Sequence, residues 1–153
     1  MDIKIPYTPR KHQAYLHRQI DNHRWNVLVC HRRFGKTVCM INHLIRSALL
    51  SKLNNPRFAY IAPTFKQAKS IAWDYMKQFT AKIPHTKFNE TELRVDLPNG
   101  SRITLLGSES PDGLRGIYLD GCVIDEYANV NSKLFPEIIR PALSDRKGYC
   151  VFI

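Results

Sequence analysis

Residues 27–37 read Val-Leu-Val-Cys-His-Arg-Arg-Phe-Gly-Lys-Thr. Val27 to Cys30 is a short apolar run fit for a buried parallel strand, and it feeds a glycine-lysine-threonine turn. Beyond the turn Val38, Ile41, Leu44, Ile45, Ala48 and Leu49 recur at helical spacing. A strand, a tight turn and an amphipathic helix in that order restrict the chain to an α/β architecture, because the helix must cover a face of the sheet that holds the strand. The turn itself carries the phosphate-binding pattern G-x-x-x-x-G-K-[ST], with Cys30 in the first glycine position. A small residue there is expected to adopt the same backbone turn.

The remaining pattern extends this architecture. A basic helix is expected from about Arg10 to His23, with Ala14, Tyr15, Leu16 and Ile20 on its inner face. Phe58 to Ala62 reads as a second buried strand, closed by Pro63-Thr64. A helix follows whose apolar stripe is Ala68, Ile71, Ala72, Tyr75 and Phe79. Residues 93–97 and 102–106 are strands joined by the turn Pro98-Asn99-Gly100-Ser101. Residues 107–116 form a polar loop. Cys122 to Asp125 is a third buried strand, Asn131 caps a helix running to about Ile139, and Tyr149 to Ile153 repeats the strand pattern. Strands alternating with helices call for an α/β fold with a mainly parallel central sheet flanked by helices. Because the chain stops inside a strand pattern, the fold is expected to be truncated before its last strands. Residues 1–153 then read as one domain at the front of a longer protein.

Composition narrows the partners. The 153 residues carry 23 Lys and Arg against 13 Asp and Glu, a formal charge of +10. Most of the excess lies in residues 1–53, where ten basic residues face two acidic ones. That asymmetry favours a polyanion, nucleic acid first, although part of it can serve a triphosphate. No apolar stretch approaches the length of a membrane span, so no membrane partner is expected. Cys30, Cys39, Cys122 and Cys150 lack C-x-x-C spacing; three lie in apolar runs and read as small buried hydrophobes, not zinc ligands.

The chemistry gathers in two segments. Backbone N–H groups from about His31 through Arg32, Arg33, Phe34 and Gly35 to Lys36 and Thr37 can cradle the phosphates of a nucleotide. Lys36 neutralises charge and the Thr37 hydroxyl ligates Mg²⁺. Gly121-Cys122-Val123-Ile124-Asp125-Glu126 is a buried strand ending in an acid pair. There Asp125 would hold Mg²⁺ and Glu126 would polarise an attacking water. Arg32 can swing to the γ-phosphate or point to solvent. Gln13, on the helix before the loop, carries an amide able to read an adenine edge. Arg115 can serve a neighbouring subunit's nucleotide, a DNA phosphate or the surface alone.

Taken in order, Pro9-x-x-x-Gln13, Cys30 to Thr37, Ala62-Pro63-Thr64, Leu114-Arg115-Gly116 and Val123-Ile124-Asp125-Glu126 resemble the N-terminal ATPase domain of tailed-phage terminase large subunits. The resemblance implies a P-loop NTPase fold of the ASCE type that uses ATP and Mg²⁺ to translocate double-stranded DNA into a procapsid. It implies adenine recognition by Gln13, phosphate binding by Gly35, Lys36 and Thr37, a cis arginine finger at Arg32, Mg²⁺ at Asp125 and water activation by Glu126. It further implies a ring on a portal protein, a small terminase subunit as partner, and the cytoplasm of an infected bacterial host. The family's C-terminal nuclease domain is absent from these residues. Two alternatives stay open: a superfamily 1 or 2 helicase-like translocase, and a non-hydrolysing nucleic-acid-binding or assembly module.

Overall fold

In the computed structural model, which describes residues 2–153, seven strands form one sheet with helices on both faces. The elements in chain order are α1 (Lys11–Asn22), β1 (Trp25–Val27), α2 (Lys36–Leu50), β2 (Arg57–Ala62), α3 (Phe65–Ala68) and α4 (Asp74–Thr80). They continue as β3 (Lys87–Asn89), β4 (Arg94–Asp96), β5 (Arg102–Gly107), β6 (Gly121–Ile124), α5 (Arg140–Ser144) and β7 (Tyr149–Phe152). The strand order is β1-β7-β6-β2-β5-β4-β3. The first five run parallel, and β4 and β3 close the far edge as an antiparallel meander. Thus β7 lies between the strand that leads to the phosphate loop and the strand that leads to the acid pair, the arrangement expected of the ASCE type.

Alternation along the inner strands divides the core. Phe58, Tyr60, Ala62, Val123 and Val151 point to one face, where Cys39, Met40, Ile41, Leu44, Ile45 and Ala48 of α2 cover them. Ala59, Ile61, Cys122, Ile124 and Cys150 point to the other, against Leu134, Ile138, Ile139 and Leu143. Strands buried on both faces can be apolar at every position, which is why β2 and β6 read as continuous runs. Cys39, Cys122 and Cys150 are all fully buried, as free thiols.

Besides Tyr15, which is 53% exposed and not on the inner face of α1, three local expectations need correction. The strand before the loop is Trp25–Val27 and not residues 27–30. It pairs with β7 alone, so its outer side is uncovered, and Val27 and Val29 are 74% and 96% exposed. β-branching favoured a strand there, but burial depends on neighbours the local pattern does not specify. Second, the helix after Pro63-Thr64 contains a π-turn, Lys69–Trp73. One extra residue in that turn advances the buried face, so Trp73 and Met76 join Ala68, Ala72 and Phe79 in the core. Ile71 and Tyr75 are turned outward. Third, the helix expected to end near Ile139 begins with a π-turn, Phe135–Ile139, and continues through Ser144. Pro136 sits in its first turn, where its missing N–H costs no hydrogen bond.

The 98–101 hairpin forms as read. Leu97 N–H donates to Ser101 O at 2.9 Å, and Gly100 takes φ +85°, a left-handed conformation that favours glycine.

Candidate nucleotide site

The loop from Leu28 to Gly35 leaves β1 and turns into α2, whose first residue is Lys36. Gly35 is the helix N-cap with φ +82°, and Arg33 also has positive φ at 66°. Cys30 is not among the residues with positive φ, so a side chain at the first glycine position meets no backbone restriction. The N–H groups of Lys36, Thr37 and Val38 open the helix and have no intrahelical acceptor. Together with the helix dipole they form an anion-binding terminus. The Lys36 ammonium reaches back across the loop to the Cys30 carbonyl at 3.4 Å.

Helix α1 holds this loop from behind. The Arg10 guanidinium donates to Phe34 O at 2.8 Å, and the Gln13 amide donates to Gly35 O at 3.2 Å. Gln13 Oε1 in turn accepts from the Arg10 backbone N–H at 2.9 Å, as half of a capping box. The buried Gln13 amide is therefore engaged on both sides. A Cβ on Gly35 would push aside the ends of the Arg10 and Gln13 side chains, and the φ of +82° disfavours any side chain there. Helix α1 is itself anchored to α2 through a polar chain. The Tyr7 hydroxyl meets His17 Nε2 at 2.8 Å, and the Nδ1 atoms of His17 and His43 lie 2.8 Å apart with their rings stacked. Burial, then the neighbouring His17, pushes the His43 pKa down to about 4.

His31, Arg32 and Arg33 are exposed. His31 Nδ1 bonds the Arg32 carbonyl, and its ring meets Phe34 edge-on. Among the described residues, neither the Arg32 nor the Arg33 guanidinium is held in an ion pair. Arg115 differs: it is bound to Asp112 at 2.9 Å and Glu137 at 3.3 Å, on the 112–145 side of the molecule.

The acid pair stands at the tip of β6. Asp125 is buried and extends the ladder, donating its N–H to Ile61 O at 2.8 Å. Its Oδ1 accepts from Glu126 N–H at 2.9 Å, and its Oδ2 accepts from the Tyr60 hydroxyl. Glu126 leaves the strand in the left-handed region, φ 48°, and is exposed. A non-glycine residue held there carries backbone strain of about 1–2 kcal/mol.

Tyr60 was read from sequence only as part of a buried strand. Fully buried on β2, its phenol contacts Asp125 and neighbours the Thr37 hydroxyl. Burial and the Asp125 carboxylate hold that phenol well above its usual pKa, so it remains a donor. Arg10 was also missed, because its guanidinium acts on the Phe34 carbonyl 24 residues away, which no local pattern specifies.

The donor set suits a hard divalent cation. Each Asp125 oxygen accepts one bond and retains a further lone pair, and the Thr37 hydroxyl is close by. Mg²⁺ takes few protein ligands, completing its shell with water and phosphate oxygens. A cavity of about 390 Å³ opens beside the loop, lined by Arg33, Gly35, Lys36, Thr37, Ile71 and Tyr75. The π-turn is what presents Ile71 and Tyr75 to it. A larger cavity of about 440 Å³ lies between the N-terminal segment, α1 and α2, but contains neither the loop nor the acid pair.

Comparison with known proteins agrees with this geometry. The fold matches the large terminase ATPase domain of Thermus phage P74-26 at TM-score 0.80 and 24% identity, over 97% of this chain and 65% of that one. It matches the large terminase of a second thermophilic bacteriophage, in complex with ADP, at TM-score 0.78 and 18% identity, over 93% and 38% of the two chains. For the HK97 bacteriophage large terminase the values are 0.76 and 17%, over 98% and 33%. The chain thus spans less than two thirds of the length of these proteins. No curated protein matches it. A family model described as terminase large subunit, T4-like-virus type, N-terminal, matches residues 29–147, from the phosphate loop through the acid pair to the turn before β7. By that match the chain belongs to the terminase large subunit family, as its N-terminal part.

Proposed function

We propose that this domain binds ATP with Mg²⁺ and hydrolyses it as the motor of a machine that drives double-stranded viral DNA into a procapsid. One observation carries the reading: Asp125 of the acid pair accepts from a buried phenol that neighbours Thr37 at the start of α2, at the carboxyl end of the parallel strands. Ligands of open α/β sheets bind at that end.

In this reading the N–H groups of the loop and of the α2 N-terminus bind phosphate oxygens. Lys36 exchanges its Cys30 carbonyl contact for the β- and γ-phosphates. Mg²⁺ would supply positive charge to neutralise the phosphates. Thr37 and Asp125 orient that ion, Thr37 directly and Asp125 directly or through water. Glu126, exposed and one residue beyond, accepts a proton from the attacking water. Arg32, which has no carboxylate partner, swings toward the γ-phosphate as a cis finger. Gln13 contacts adenine after releasing Gly35, and Arg115 leaves Asp112 and Glu137 to act on a neighbouring subunit. The ring, the portal and small-subunit contacts, and the host cytoplasm belong to the same proposal. The concentration of positive charge in residues 1–53 supports contact with DNA. Among the described residues no helix is long and apolar enough to cross a membrane.

The test is direct. Lys36→Ala should remove ATP binding in calorimetric titration, and undiminished affinity would sink the assignment. Glu126→Gln should keep the affinity but lower phosphate release by about 10²–10³-fold. Wild-type turnover in that variant would remove Glu126 as the water activator.

A further inference from the structure

We infer that Tyr60 is a positioning residue for the divalent cation: its hydroxyl sets the distance and orientation between Thr37 and Asp125 before the nucleotide arrives. The inference rests on the nucleotide-site reading above and adds to it a residue from neither of the two motifs.

Tyr60 lies at the centre of β2, whose backbone pairs with β6 on one side and β5 on the other. Its partner across the β6 ladder is Val123, two residues before Asp125, so its side chain shares the face of the sheet covered by α2. The backbone on both sides is fixed and the ring is fully buried. The hydroxyl therefore has little freedom of position. It donates to Asp125 Oδ2 while Glu126 N–H occupies Oδ1, which leaves the carboxylate a single orientation. Thr37, on the first turn of α2, neighbours the Tyr60 hydroxyl.

A purely structural role would have called for a different residue. A phenylalanine would fill the same volume without bringing a hydroxyl into the core, where an unpaired polar group is unfavourable. The hydroxyl is paired here, and its partner is the buried carboxylate of Asp125 at the tip of β6. Groups that hydrogen-bond a metal-binding carboxylate fix its rotamer and raise metal affinity.

The experiment is a calorimetric titration of a slowly hydrolysed ATP analogue into wild type, Tyr60→Phe, Lys36→Ala and Asp125→Asn, each with excess Mg²⁺ and with EDTA. In Tyr60→Phe the gain in affinity contributed by Mg²⁺ should fall about tenfold, the lower end of the effect seen for groups behind a metal ligand. Affinity in EDTA should stay within about twofold, because the phosphate loop is untouched, and adding Tyr60→Phe to Asp125→Asn should change nothing further. An unchanged Mg²⁺ gain in Tyr60→Phe would overturn the inference. So would an increased gain, which would make the hydroxyl a competitor for the ion, or an equal loss in Mg²⁺ and EDTA, which would make it a structural group. Should Tyr60→Phe melt well below wild type, a full effect of that substitution within the Asp125→Asn background would equally overturn it. If wild type binds no nucleotide, or Lys36→Ala binds as well as wild type, the nucleotide-site reading itself fails and takes this inference with it.

Discussion

The two halves of the site are held by different means. The phosphate loop is exposed, and side chains of a separate helix grip it by its carbonyls: Arg10 on Phe34 and Gln13 on Gly35. The acid pair is built into the sheet, with Asp125 on the ladder and its carboxylate bound by Tyr60 and Glu126 N–H. A loop held through backbone atoms tolerates varied side chains, and Cys30, His31, Arg32 and Arg33 all depart from a glycine-rich pattern. A carboxylate held through its own oxygens tolerates almost none. The loop side should therefore fail through changes to its backbone or its helix, and the sheet side through loss of single atoms.

Gly35→Ala should have the largest effect on nucleotide binding. It forces a side chain into a positive φ, at a cost of about 1–2 kcal/mol, and displaces the Arg10 and Gln13 ends that hold the loop. Chemical denaturation should register that loss along with a collapse of nucleotide affinity. A variant that binds and unfolds like wild type would break the contrast at once.

Acid provides the next test, because only the loop side has a histidine pair behind it. His43 is held neutral by burial, with His17, Asp21, Arg46 and Tyr149 facing it. Its folded pKa, about 4, lies below the unfolded value near 6.5, so its contribution is complete above that value. Stability should then fall as the pH drops from about 6.5 toward 4, by roughly 1.4 kcal/mol for each full unit. Hydrogen exchange at pH 5 and pH 7 locates the effect: α1 and α2 should lose protection first, while β6 keeps its own. Equal loss in both would show that the two halves are not separately held.

The smallest effect belongs to Arg10→Ala, which removes one tether and leaves Gln13 in place. About 1 kcal/mol should be lost, the usual size of one hydrogen bond from a charged group on an exposed side chain. Nucleotide affinity should fall by less than it does in Gly35→Ala.

What could be read from sequence follows the same division. The GKT turn, the acid pair at a strand end and the hairpin at 98–101 are local patterns, and each formed where it was expected. The order of the strands was not local. Val27 and Val29 read as buried because nothing in their run reveals that β1 lies at the edge of the sheet. The π-turn at Lys69–Trp73 was hidden for another reason: Ile71 and Tyr75 fit a 3.6-residue stripe, and one inserted residue changes the phase without changing the composition. Tyr60 was hidden most completely. An aromatic residue in a buried strand is ordinary, and only the pairing of β2 with β6 brings its hydroxyl to Asp125.

The position of β7 determines how far apart the two halves can stand. With one strand between β1 and β6, their axes lie about 9–10 Å apart, twice the ordinary interstrand spacing. The peptide groups at its tip clasp both neighbours: Phe152 O accepts from Leu28 N–H at 2.8 Å, and Ile153 N–H donates to Ile124 O at 3.0 Å. β7 is thus a gauge block between the acid pair and the glycine-lysine-threonine loop. Any tilt of that one strand would shift both at the same moment.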